Sequence, residues 1–225
     1  METSRITEFK KYIDTQITPS ITEIRGLNET SRKHVQKLVY TNLVDRFDVM
    51  VDTAILTNCR SEFVVEAISS SLTETVNEQY LLKLLMDTDN VQEAIDERLR
   101  STIRNTILRK RHSQKLLFLL KLFDKLEYSK LNPQVQVGSG NVVLKATKTK
   151  VNIPHSVCGY ADWLYSRRNS IVHGASASPK YLENDIKKLK EIYKYDCPKT
   201  INLKFGAIEQ TVRFYTCIVK ILLDE

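Results

Sequence analysis

Residues 163–174 read Trp-Leu-Tyr-Ser-Arg-Arg-Asn-Ser-Ile-Val-His-Gly. Arg168 is followed by polar Asn169 and, after three more residues, by His173 and Gly174. A guanidinium grips phosphate with a planar fork of donors, and an imidazole exchanges protons near neutral pH. Together they supply what metal-free RNA cleavage needs: a cation for the charge that builds on phosphate, and a carrier for the 2′-hydroxyl proton. On an ideal helix Asn169 and His173 share a face, whereas Arg168 and His173 stand about 140° apart. Arg168 then meets the histidine by curling its long side chain, or across a subunit boundary. Ile171 and Val172 fall on the flank expected to pack inward.

An Arg-x4-His spacing alone is common by chance, so its context matters. His34, His112 and His155 have no arginine five to seven places upstream. Other residues offer weaker chemistry. Arg98, Arg100, Arg104, Arg109, Lys110, Arg111 and Lys115 concentrate positive charge. They form either a phosphate-tracking face or a solvated surface paired with acids. Lys145, Lys148 and Lys150 have no acid between them, and Lys187, Lys188, Lys190 and Lys194 read as a solvated face. Tyr160, Trp163 and Tyr165 could stack on an unpaired base, although their spacing favours packing. Asp45, Asp48 and Asp52 repeat along one helix edge. They could orient Arg168 by an ion pair, a wet edge being the simpler account, and they do not make a metal cluster. His155, Cys158, Cys197 and Cys217 can be drawn as a zinc site, but their spacing fits no compact ligand pattern.

Arg-Asn-Ser-Ile-Val-His-Gly resembles the Arg-(polar)-x3-His signature of HEPN domains, compact helical bundles, and is closest in flavour to the RiboL-PSP-HEPN branch. The specific match covers about 12 residues, with a loosely compatible helix order over 40–220. The resemblance implies a metal-independent endoribonuclease without cofactor, commonly a toxin or antiviral effector. It implies a homodimer whose motif helices face each other, RNA as substrate, and an antitoxin or defence-system protein as a further partner. Carried over, Arg168 binds the scissile phosphate and His173 acts as general base or acid. Asn169 holds the histidine tautomer or touches phosphate. The implied products carry 2′,3′-cyclic phosphate and 5′-hydroxyl ends. Arg167, Ser170 and Tyr165 are neighbours without a place in the signature; with Arg109, Lys110 and Arg111 they are candidate substrate contacts. A catalytically silent member that binds RNA or protein is the alternative.

The elements that must hold this motif read as helices. The chain has 225 residues, 42% hydrophobic, with only 6 Gly and 5 Pro, which disfavours a turn-rich β-sandwich. Net charge is +7, which permits a polyanionic partner without requiring one. The apolar stripe Tyr40, Leu43, Val44, Phe47, Val51, Ala54, Ile55 has helical spacing. A second helical region runs from Ser61 to Met86, and Asp89 with Gln92 looks like a capping pair for a long helix from Val91 to about Leu131. Its half around Leu116–Phe123 is apolar nearly all round and should be buried. Gly138-Ser139-Gly140 between alternating segments predicts a β-hairpin inserted over 132–154. Helices over His155–Val172 and Tyr181–Tyr195 follow, and Gly174 is placed for a left-handed cap. The last helix carries Ile208, Val212, Tyr215, Val219 and Leu222 on one face. The expected architecture is a single all-α, HEPN-like domain over 1–225, with residues 1–35 a helical N-terminal extension. The charged N-terminus has no apolar signal core, apolar runs such as Leu116–Leu120 are too short to span a bilayer, and the cysteines are scattered. These features predict a cytoplasmic protein without membrane partner and with reduced thiols.

Overall fold

The computed structural model describes residues 1–71, 82, 86, 91–174, 180–201 and 203–225. The fold is an all-α bundle with one small β-hairpin. Among the described residues the helices are α1 (Ser4–Tyr12), α2 (Thr18–Ile24), α3 (Glu29–Thr57), α4 (Glu62–Ile68), α5 (Val91–Thr106), α6 (His112–Leu122), α7 (Val157–His173), α8 (Glu183–Tyr193) and α9 (Phe205–Leu223). A π-helical turn, Ile13–Ile17, joins α1 to α2.

The long α3 is the spine. Asn28 caps it by accepting the Ser31 N–H at 3.0 Å. The expected stripe from Tyr40 to Ile55 is buried along its length, with Met50 added. Phe47 stacks on Tyr215 of α9 at 4.1 Å between ring centroids, and Phe9 of α1 meets both rings edge-on. The Tyr40 hydroxyl donates to the Leu164 carbonyl of α7 at 2.9 Å. The N-terminal segment is thus no appendage: Ile6, Phe9, Ile13 and Ile17 belong to the core.

Sequence and structure part at the expected helix Val91–Leu131. It is two helices: α5 ends at Thr106, α6 begins at His112, and a 3-10 turn covers Leu126–Ser129. No Gly or Pro marks this break. It is held from outside, because the Ser113 N–H in the first turn of α6 donates to the Asp162 carboxylate of α7 at 3.0 Å. The Gln114 side chain accepts the Arg111 N–H at 3.2 Å. Burial of the Leu116–Leu122 stretch is as expected. The capping pair at Asp89 and the part of Ser61–Met86 over 72–81 and 83–85 lie outside the described residues.

The hairpin is smaller than expected. Only Val135–Gln136 (β1) and Asn141–Val142 (β2) pair, antiparallel, with Val135 opposite Val142. The lysine-rich run beyond Leu144 forms no strand. Gly140 has φ +84°, and a Cβ there would lie 2.1 Å from the Gln210 carbonyl oxygen of α9. Gly140→Ala is therefore expected to lose about 2–4 kcal/mol, combining left-handed strain with displacement of the hairpin from α9. A lower urea midpoint at unchanged m-value is the readout.

α7 begins where Ser156 accepts the Gly159 N–H at 3.2 Å. Gly159 is sterically required, since a Cβ would sit 2.6 Å from the Pro154 Cβ. At the other end Gly174 is extended (φ −80°, ψ 107°), not left-handed. Ile171 packs against the core, but Val172 is half exposed, contrary to the inward placement expected for both.

Candidate active site on the motif helix

Arg168 is half-buried and fixed. Its Nη2 donates to Asp45 Oδ2 of α3 at 3.0 Å, its Nε lies 2.6 Å from Asp45 Oδ1, and its Nη1 donates to the Asn169 side-chain oxygen at 3.1 Å. The Asn169 amide reaches Asp185 of α8 at 3.5 Å. Arg168 is therefore turned toward α3 rather than curled toward His173. His173 is exposed in the last turn of α7, next to exposed Val172, and makes no hydrogen bond among the described residues.

The flanking candidates separate. Arg167 is buried, with its guanidinium 4.1 Å above the Trp163 ring and its Nε donating to the Tyr181 hydroxyl at 3.3 Å. Ser170 is fully buried; its hydroxyl donates to the Ser166 carbonyl and accepts the Leu182 N–H. These two expected substrate contacts are core groups, because the residue before Arg168 and the one two after it are three apart and share the helix face turned into the bundle. Tyr160 and Trp163 are core residues too, and Tyr165 lines a cavity.

The basic cluster is largely spent on ion pairs. Arg100 faces Asp96 at 3.8 Å, Arg104 pairs with Glu97 at 2.6 Å and Arg111 with Asp162 at 3.2 Å. Lys115 bridges Asp48 (2.9 Å) and Asp52 (2.6 Å). Arg109 and Lys110 are exposed and form no ion pair among the described residues. The aspartate edge of α3 is consequently tied up in ion pairs, although it stays partly exposed. Asp45 holds Arg168, while Asp48 and Asp52 hold Lys115.

Sequence reasoning passed over His112. Its ring is buried, its Nδ1 lies 2.7 Å from Asp48 Oδ1, and Tyr165 stacks on it at 4.8 Å. The missed signal was tertiary: Asp48 precedes it by 64 residues. Burial alone would raise the Asp48 carboxyl, but the His112 and Lys115 contacts overcome it and hold it at about 2. That depression contributes about 2 kcal/mol of stability at neutral pH, from roughly 1.4 kcal/mol per pKa unit. Because the folded value lies below the unfolded one, the contribution is present above about pH 4 and is lost as pH falls toward 2. Asp48→Asn is expected to destabilise the protein by about 2 kcal/mol at pH 7, with the gap to wild type closing between pH 4 and 2 in urea titrations.

All four cysteines are free thiols. Burial pushes Cys158 up to about 12 and Cys197 up to about 11, so both stay protonated at neutral pH. Buried His155 meets Thr149, whose hydroxyl lies 2.9 Å from its Nε2. Among the described residues, no three His, Cys, Asp or Glu side chains are grouped to hold a metal ion, and no helix is long and apolar enough to cross a membrane. Comparisons with protein-family models, with curated proteins and with solved structures each return no match.

Proposed function

We propose that the protein is a metal-independent endoribonuclease of the HEPN type. The observation that carries this reading is the single helix α7. It presents a half-buried Arg168, oriented by Asp45 and Asn169, and an exposed His173 one turn beyond Asn169. In the proposed reaction the ribose 2′-hydroxyl attacks the adjacent phosphorus and the 5′-oxygen leaves. His173 accepts the 2′-hydroxyl proton or donates one to the leaving oxygen, and Arg168 neutralises the phosphorane. The strand is cut to a 2′,3′-cyclic phosphate and a 5′-hydroxyl.

Because Arg168 faces α3 and not His173, the working cleft in this reading is built by two copies with α7 against α7. Exposed Val172 beside His173 supports that surface. So do exposed Leu38 and Val49, which share the α3 face of Asp45. A toxin or phage-defence role, with a protein that silences or triggers cutting, fits such an enzyme. The grip of Asp45 on Arg168 favours one second reading, a silent module that binds RNA or protein without cutting.

Incubation of the dimeric protein with total cellular RNA in EDTA separates the two. The nuclease reading expects discrete fragments with cyclic-phosphate ends. Intact RNA, retained by the protein across a broad set of substrates, would move the assignment to the silent module.

A further inference from the structure

A cavity of about 410 Å³ opens between the start of α6, the middle of α7 and α8. It falls in the roughly 300–1,000 Å³ range of small-ligand sites. The segment between α5 and α6 contributes Leu108, Lys110 and Arg111 to its wall, and it borders Asn169 of the motif.

Its unspent polar capacity is mostly cationic. The acids on its wall already hold donors: Asp48 has His112 and Lys115, and Asp162 has the Ser113 N–H, Arg111 and the Tyr193 hydroxyl. Asp185 has Asn169. Lys110 and Lys188 line the cavity, are exposed, and form no ion pair among the described residues. His112 also lines it, with a side chain only 2% exposed. With Nδ1 given to Asp48, its Nε2 is a buried polar atom with no hydrogen-bond partner among the described residues. A buried nitrogen left unpaired on a residue that lines a cavity still has hydrogen-bonding capacity to satisfy. The α6 N-terminus adds positive potential to the same wall.

We propose that this cavity is a phosphate subsite, with Lys110 and Lys188 gripping the phosphate at its mouth and His112 Nε2 hydrogen-bonding it within. Nε2 accepts from a monoprotonated phosphate when the ring is neutral and donates to an ionised one when the ring is charged. On the ribonuclease reading, its position beside Asn169 makes the ligand a nucleotide phosphate, seated next to the motif. That the nucleotide belongs to an RNA strand rests on the ribonuclease reading; the phosphate chemistry does not.

The test is calorimetric titration of the full chain with inorganic phosphate, with the four nucleoside 5′-monophosphates, and with a 2′-O-methyl oligonucleotide that cannot be cleaved. The variants are K110A/K188A, both at exposed positions, and H112Q, with K187A as the control on the solvent side of α8. K110A/K188A is expected to weaken binding at least tenfold and H112Q severalfold, with K187A unchanged. Loss of mononucleotide affinity identifies a site for free nucleotides; loss confined to the oligonucleotide identifies a strand subsite. If K110A/K188A binds every probe as wild type does, the subsite is refuted. RNA cutting that still depends on His173 would then leave the nuclease assignment standing.

Discussion

Arg168→Ala should lower RNA cleavage by at least about 10²-fold while leaving the protein folded, because removing one preformed stabiliser of transition-state charge has that size. The stability change should be small. The Arg168 side chain is 21% exposed and Asp45 43%, so their ion pair sits near the surface, where such pairs contribute about 1 kcal/mol or less. Arg168→Lys should recover only part of the rate, since an ammonium keeps the charge but loses the planar fork. Cleavage kinetics and thermal melts on the same preparations check both halves. A large fall in melting temperature with unchanged cleavage would make Arg168 a structural residue.

Asp162→Ala should give the largest loss of stability. This nearly buried carboxylate takes the Ser113 N–H at 3.0 Å and the Tyr193 hydroxyl at 2.8 Å, and pairs with Arg111 at 3.2 Å. It fastens the start of α6 to α7 and α8 at once. Truncation leaves three donors without this acceptor, the buried Ser113 N–H among them, which should cost about 3–5 kcal/mol. For a chain of this length that corresponds to a melting temperature lower by about 10 °C. Asp162→Asn keeps an acceptor and should fall between. The break between α5 and α6 should loosen, with earlier hydrogen exchange at Ser113 and its neighbours as the local sign. An Asp162→Ala protein that melts with wild type would mean that the local sequence, and not this carboxylate, sets the break.

What the sequence disclosed follows the range of the forces involved. The α3 stripe and the motif helix were legible because a period of 3.6 in apolar residues is written locally. The α5–α6 break was not, because residues 107–111 contain no helix breaker and, beside the local Gln114 contact, the Ser113 N–H is capped by Asp162 on another helix. The Arg168–Asp45 pair was visible only as an option, since a repeat of aspartates cannot say which cation folds onto it. His112 stayed hidden because its value lies in Asp48, Tyr165 and a cavity wall that adjacent residues do not announce. The burial of Arg167 and Ser170 was hidden for a related reason: adjacency in sequence along a helix places neighbours on different faces.

The central claim is that α7 carries ribonuclease chemistry in Arg168 and His173. Its most direct test is cleavage of RNA in EDTA by wild type, by His173→Ala, and by a mixture of His173→Ala with Arg168→Ala subunits. Wild type should leave 2′,3′-cyclic phosphate ends and each variant alone should fail. The mixture should regain part of the activity, because a shared cleft then holds one intact pair. Cutting by His173→Ala at the wild-type rate would contradict the claim.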